Sequence, residues 1–267
     1  MFVLRIRITP QSVKQLKLGL AKSLPDVKST HRAEALGRGL GLRTYASLLA
    51  ESRSFDPYFA EVSGARFRDY LAEHGFLIDP EPLYLAAAEV AIREVLCTIP
   101  RLHVFGIGIG RPQRTPEGSW STPQQRYAEF LERRQECLGR RAAKAFLRSL
   151  AFLALIRKTK TVRSGTGSYR LKHIAEKFEC TYPEGAKLGP DYVPNGMLIA
   201  AAIHMGFKYK THVDDLGYDT LNASFNMSKP TIEDLDARIR PQSGFAQYRA
   251  RKRLARAIVK PAALVHL

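Results

Sequence analysis

The sequence predicts an α+β fold that is mainly helical, with a few short strands. Three observations support this class. Along most of the chain, apolar residues recur every three or four positions, which is typical of helices with one buried face. Strict alternation of apolar and polar residues, which is typical of strands, is limited to short runs. The chain has 267 residues, 45% of them hydrophobic, so it can form a buried core.

Helices are the most frequent predicted element. We expect them at residues 12–23, 29–38 and 44–51, at two places within 57–96, within 123–157, and at 168–178, 195–205, 231–238 and 244–259. We expect strands at residues 2–8, 102–109, 207–213 and 221–227.

Local signals set several of these boundaries. Pro10 ends the first strand, and Thr44 is suited to be the N-cap of the third helix. Thr122 is followed by Pro123 and then Gln125, the residues of an N-cap, a first helical position and a capping box. The long helix that begins there can break at Gly139.

A polar, basic and glycine-containing stretch at residues 159–167 predicts a linker between two domains. Residues 1–158 would form an N-terminal helical domain with an edge strand and a basic long helix. Residues 159–267 would form a C-terminal α+β domain that binds nucleic acid.

The charge of the chain indicates the class of its partner. The sequence has 42 Lys and Arg residues against 25 Asp and Glu residues, for a formal net charge of +17. Such an excess favours a polyanion, and we expect nucleic acid, either RNA or DNA. An acidic protein partner is the alternative, with the chain as a basic scaffold. No apolar run is long enough to cross a membrane, and the three scattered cysteines favour free thiols in a reducing cytoplasm.

The positive charge is unevenly distributed. Residues 133–163 contain ten basic residues and one acidic residue, and residues 237–267 contain eight basic residues and no acidic one. Residues 51–96 have the opposite balance, with nine acidic and four basic residues. We therefore expect the acidic middle to lie away from a binding face on which the basic segments converge.

A glycine-rich turn between the second and third helices loosely resembles a helix-turn-helix motif. In that interpretation Arg43, Thr44 and Ser47 face base edges or phosphates, and the nearby Arg32 and Arg38 are further candidate contacts with nucleic acid. The alternative is an ordinary pair of packed helices in which the glycines are C-caps.

The predicted linker and the helix after it carry a second set of candidate contacts. Lys158, Lys160 and Arg163 precede Ser168 and Tyr169, which begin the helix. A helix N-terminus favours phosphate, and a tyrosine can stack on a base. The alternative is a solvated linker followed by a helix in which Tyr169 is packed.

Histidines near a lysine form the candidate catalytic set. Lys172 and His173 are adjacent, and together with His31 they could provide the base and the cation that a metal-independent endoribonuclease needs. The alternative is that His173 has no catalytic role.

The C-terminal segment adds a basic helix with Arg249, Arg251, Lys252 and Arg253, which either contacts phosphates or keeps the protein in solution. We expect no metal, because the sequence lacks C-x-x-C and H-x-x-x-H spacings. We also expect no cofactor. The G-x-G-x-G run at residues 106–110 has the wrong spacing for a dinucleotide and predicts a bent strand that another backbone approaches closely.

Two segments resemble uncharacterised proteins of proteobacterial plasmids and integrative conjugative elements. They are HRAEALGRGLGLRTYA at residues 31–46, and SYRLKH at 168–173 followed by NGMLIAAA at 195–202 and Gly206-Phe207. This resemblance implies a function in a mobile element and gives no catalytic residues. A much looser similarity, to CRISPR RAMP-type RNA-binding proteins, lies in the basic first strand and the glycine-rich loop. It implies RNA binding within a ribonucleoprotein that has protein partners.

The sequence therefore supports two functions of different classes. The first is a cytoplasmic nucleic-acid-binding protein of a mobile element, whose affinity falls roughly 10³-fold or more between 50 and 200 mM salt if six or more phosphates are contacted. The second is a metal-independent endoribonuclease that processes a structured RNA and stays bound to it.

Overall fold

The computed structural model of the chain describes residues 2–244, 247–248 and 251–252. Residues 2–240 contain ten α-helices and six strands. The helices are α1 (Pro10–Ser23), α2 (Ser29–Gly39), α3 (Tyr45–Ser52), α4 (Gly64–Glu73), α5 (Glu81–Thr98), α6 (Pro123–Gln135), α7 (Arg140–Leu153), α8 (Ser168–Ala175), α9 (Asn195–His204) and α10 (Lys229–Ile239). The strands are β1 (Arg5–Ile8), β2 (Tyr58–Glu61), β3 (Leu102–His103), β4 (Gly106–Ile107), β5 (Tyr209–Val213) and β6 (Asp219–Phe225).

Three helices form the centre of the core. Helices α5, α7 and α9 pack against one another, and α9 is buried along residues 195–202. The sequence of α9 is apolar on all sides, which suits a helix surrounded by other elements. Helix α1 packs on α5, and α2 packs on α4. The domain boundary at residue 158 stays a prediction.

Two small antiparallel sheets flank these helices. Strands β1 and β2 pair from Arg5↔Glu61 to Ile8↔Tyr58. The second sheet has the strand order β3-β4-β6-β5. Helix α8 packs on β6, and α10 packs on α8. The predicted class, α+β and mainly helical, is confirmed.

Two helix starts are confirmed in detail. Thr122 caps α6 by accepting a hydrogen bond from the Gln125 N–H, and the Gln125 side chain accepts one from the Thr122 N–H at 2.8 Å. Thr44 caps α3 by accepting the Ser47 N–H at 3.1 Å. The long predicted helix ends at residue 135, and α7 begins after Gly139.

The helix predicted from residue 57 is wrong at its start, because residues 58–61 form strand β2 instead. This strand has only four residues, and its pairing with β1 defines it. Four residues are too few for the spacing of apolar residues to distinguish a strand from a helix.

The strand predicted at residues 102–109 is a tight hairpin of β3 and β4. Gly106 has a φ of 147°, and a Cβ there would lie 1.9 Å from the Leu221 carbonyl oxygen. The close backbone approach predicted for this glycine run is therefore confirmed, and β6 is the element that approaches. No helix among the described residues is both long and apolar enough to span a membrane.

Candidate functional site

Strand β6 has a basic segment on each side. On one side β5 pairs with it, with Lys210 opposite Ser224. On the other side residues 158–167 follow it, through the bridges Lys158↔Met227 and Gly167↔Ser224. Because Ser224 pairs with both neighbours, the two segments lie at opposite edges of the same strand.

Asn226 joins the two segments just after β6 ends. It is 4% exposed, and its side-chain oxygen accepts the Lys208 N–H at 2.6 Å. Its side-chain nitrogen donates to the Thr159 carbonyl at 2.7 Å. One buried side chain thus fixes the backbone of both basic segments.

The basic side chains along these segments are exposed, and we name them the basic strip: Arg157, Lys158, Lys160, Arg163, Lys208, Lys210 and Lys229. Lys229 belongs to this group because its side chain lies 3.5 Å from the position of a Cβ at Gly165. Residues 157–175 and 205–213 contain no Asp or Glu. None of the seven forms a salt bridge with another residue that the structure describes.

The spacing of the basic strip suits a nucleic-acid backbone. Neighbouring strands lie about 4.8 Å apart, so the two edges of β6 place their main chains about 10 Å apart. Flexible lysine and arginine side chains can cover that distance and contact successive phosphates of one strand.

Lys158 also has a structural contact. Its ammonium group donates to the Met205 carbonyl at 2.5 Å, at the C-terminal end of α9, and lies 5.3 Å from the Phe207 ring centre. A cation at a helix C-terminus is favourable, so the ammonium group of Lys158 also contributes to the stability of the fold.

The N-terminus of α8 lies directly on β6. The Ser168 hydroxyl is fully buried and accepts the Ala223 N–H at 3.1 Å. Its side chain therefore contributes to the packing of α8 on the sheet. This contact holds the start of α8, which carries the exposed Tyr169, against the strand that has the basic segments at its edges.

A cluster of side chains on and near α8 contains two of the predicted catalytic residues; we name it the α8 cluster: Tyr169, Lys172, His173, Glu176 and Tyr192. Tyr169 and Tyr192 are 57% and 56% exposed. The Lys172 ammonium group lies 5.4 Å from the first ring centre and 5.0 Å from the second. The tyrosines thus offer stacking surfaces beside a buried cation.

Glu176 connects Lys172 and His173. Its two oxygens accept hydrogen bonds from Lys172 Nζ at 2.9 Å and from His173 Nδ1 at 2.8 Å. Burial alone would raise the pKa of the Glu176 carboxyl, but the hydrogen bonds from Lys172 and His173 outweigh burial and lower it. The ionised carboxylate orients the His173 ring and leaves Nε2 available for another partner.

The structure places His31 in different surroundings. Its ring lies 4.6 Å from the ring of His74 and 5.5 Å from that of Phe76. The contacts of His173 come from Tyr169 and Glu176, so the two histidines share no partner in the part of the chain that the structure describes.

Arg32 bonds to the main chain. Its Nη1 donates to the Leu24 carbonyl at 2.8 Å and also contacts the carbonyls of Pro25 and Val27. It thereby ties α2 to the turn that follows α1.

The remaining predicted contacts lie in two places. Arg38 and Arg43 are exposed beside the α2–α3 turn, where they line a cavity. Arg251 and Lys252 are exposed, whereas Arg249 and Arg253 lie outside the described residues.

Sequence reasoning missed Lys208, Lys210, Lys229, Tyr192 and Glu176. Lys208 and Lys210 alternate with Tyr209 in a strand-like run, a pattern that could have marked them as a second basic segment. No sequence signal places Tyr192 beside α8, because it lies in a loop.

Among the described residues no three His, Cys, Asp or Glu side chains are grouped so as to hold a metal ion. Comparison of the chain with protein-family models, curated proteins and solved structures gave no match.

Proposed function

We propose that this protein binds single-stranded nucleic acid, with the basic strip contacting phosphates and Tyr169 and Tyr192 stacking on unpaired bases. The observation that carries the proposal is the placement of two acid-free segments at opposite edges of β6 by Asn226. Positive side chains that form no salt bridge with the described residues favour a polyanion, and exposed tyrosines favour bases that are not paired. The setting in a mobile element is supported by the motif resemblance alone.

The salt dependence of binding tests the proposal. Fluorescence anisotropy with a labelled single strand measures the affinity at several salt concentrations. With about six contacts, the slope of log K against log salt is about −4, which is a loss of roughly 300-fold between about 50 and 200 mM. A flat salt response contradicts the proposal.

Charge-removing variants assign the binding to the basic strip. In the triple variant K160A/R163A/K210A, we expect the slope to become shallower by about 2, because each lost contact contributes about 0.7. The matched control K22A/K28A/R53A removes the same number of exposed charges near α1–α3 and should leave the slope unchanged. An equal effect of the two variants would place the binding elsewhere.

A second candidate function is metal-independent cleavage of RNA, which the contact between His173 and Glu176 favours. The Nε2 atom of His173 would accept the proton of a 2′-hydroxyl, whose oxygen attacks the adjacent phosphorus. The bond from phosphorus to the 5′-oxygen breaks, and the leaving oxygen takes a proton from water. The products are a 2′,3′-cyclic phosphate and a 5′-hydroxyl, and Lys172 supplies positive charge nearby.

Incubation of RNA with the protein in EDTA tests this second function. We expect the wild type and His31→Ala to cleave, and His173→Ala to be inactive. A strand with 2′-deoxyribose at the cleavage position should stay intact. No cleavage by the wild type, or equal cleavage by His173→Ala, contradicts this function and leaves the binding proposal standing.

A further inference from the structure

Three arginines from separate elements line one cavity near the α2–α3 turn. The cavity has a volume of about 620 Å³. Arg38 is at the end of α2, Arg43 is in the turn, and Arg66 is on α4. We name this feature the arginine pocket.

The backbone of the α2–α3 turn shapes one side of the arginine pocket. The Gly41 N–H donates to the Arg38 carbonyl at 3.0 Å, and the Leu42 N–H donates to the Gly37 carbonyl at 2.9 Å. These two bonds form a Schellman C-cap, which requires a left-handed residue, and Gly41 has a φ of 83°. A Cβ at Gly41 would lie 3.1 Å from Arg66 Nη1, so the glycine also leaves room for the guanidinium group.

The three guanidinium groups are not fixed by polar contacts within the described part of the chain. None makes a salt bridge or a side-chain hydrogen bond with another residue that the structure describes. Two carboxylates also line the pocket, Asp69, which pairs with Arg68 at 3.2 Å, and Glu73, so three arginines face two carboxylates. The planar guanidinium groups match phosphate oxygens in pairs, so arginines that line one cavity suit a phosphate.

We propose that the arginine pocket binds a phosphate group. The phosphate belongs either to the backbone of the strand held at the basic strip or to a free nucleotide. The first source rests on the proposed function, whereas phosphate binding as such does not. In either case the pocket is a second anion site, built from elements different from those of the basic strip.

Calorimetric titration of the full chain with inorganic pyrophosphate tests the pocket. We expect the wild type to bind and R43A/R66A to bind at least tenfold more weakly. The control R53A/R141A, which removes two exposed arginines elsewhere, should bind like the wild type. In R43K/R66K the charge remains but the paired hydrogen bonds are lost, so binding should be intermediate.

Equal affinity of the wild type and R43A/R66A, or no binding by the wild type at millimolar pyrophosphate, overturns the proposal. Circular dichroism melting of each variant confirms that it is folded. If R43A/R66A does not fold, the weaker pyrophosphate binding expected of R43K/R66K tests the proposal in its place.

Competition identifies the source of the phosphate. Displacement of pyrophosphate by a single-stranded oligonucleotide supports the pocket and assigns it to the backbone. Displacement by ATP alone supports the pocket and assigns it to a free nucleotide, and displacement by neither overturns the proposal. If oligonucleotide binding does not depend on salt, the proposed function is contradicted. The pyrophosphate titration still tests whether the arginine pocket binds phosphate.

Discussion

The start of α2 and the segment after α7 both carry basic residues that the sequence marks as nucleic-acid contacts, but the fold uses their charge differently. At α2, Arg32 donates to main-chain carbonyls, and its guanidinium group holds the turn together. In the segment after α7, the backbone is held by β6 and by the Asn226 side chain. The side chains of Lys160 and Arg163 are therefore left exposed. Where backbone groups hold a basic segment in place, its side chains remain available to a ligand.

Removal of the Asn226 side chain should give the largest effect. Asn226→Ala leaves the Lys208 N–H and the Thr159 carbonyl without their partner, and each buried unsatisfied group costs about 1–3 kcal/mol. We expect a loss of about 3 kcal/mol in the free energy of unfolding, measured with urea, together with weaker nucleic-acid binding.

Asn222→Ala, on the same strand, is the control. Asn222 accepts one side-chain hydrogen bond, from Asn195 at 3.2 Å, so the loss should be smaller. Unchanged stability and affinity in Asn226→Ala would show that this residue does not hold the two segments together.

Removal of the Arg32 side chain should separate stability from binding. Arg32→Ala deletes the bonds to three carbonyls of the α1–α2 turn, and we expect a loss of about 2 kcal/mol in the free energy of unfolding. The affinity for a single strand should stay within about twofold of the wild type, because this charge lies outside the basic strip. Weaker binding at unchanged stability would instead make Arg32 a ligand contact.

Removal of the Tyr169 ring should have the smallest effect. Tyr169→Ala should weaken binding about tenfold, because base–aromatic stacking contributes about 1–3 kcal/mol. Tyr169→Phe retains the ring and should bind like the wild type. The control Phe59→Ala removes an aromatic side chain of equal exposure, 57%, from strand β2. If Phe59→Ala and Tyr169→Ala weaken binding equally, stacking at α8 is not specific.

The parts of the fold that short-range signals control could be predicted from the sequence. Thr122, Pro123 and Gln125 fix the start of α6 within four residues, and Thr44 caps α3 in the same way. The glycine run at 106–110 indicated close backbone approach from its composition alone. Strand β2 could not be predicted, because its pairing with β1 joins residues 50 to 56 positions apart.

The same distinction applies to the candidate site. The sequence identified the basic residues of the segment after α7 and the neighbouring Lys172 and His173. It could not place Lys208 and Lys210 beside them, because the bond from Asn226 to Thr159 spans 67 positions. It also could not show that Arg32 serves the fold, because the side chain and its acceptors are brought together by a turn.

Photo-crosslinking tests the central claim most directly. A single strand with photoactivatable bases is bound to the wild-type protein, and the complex is irradiated. Mass spectrometry then identifies the peptides of the protein that are crosslinked to the strand. The proposed interface predicts crosslinks to peptides that contain Tyr169 or Tyr192, and loss of these crosslinks in K160A/R163A/K210A. Crosslinks confined to peptides of α1–α5, unaffected by that variant, would contradict it.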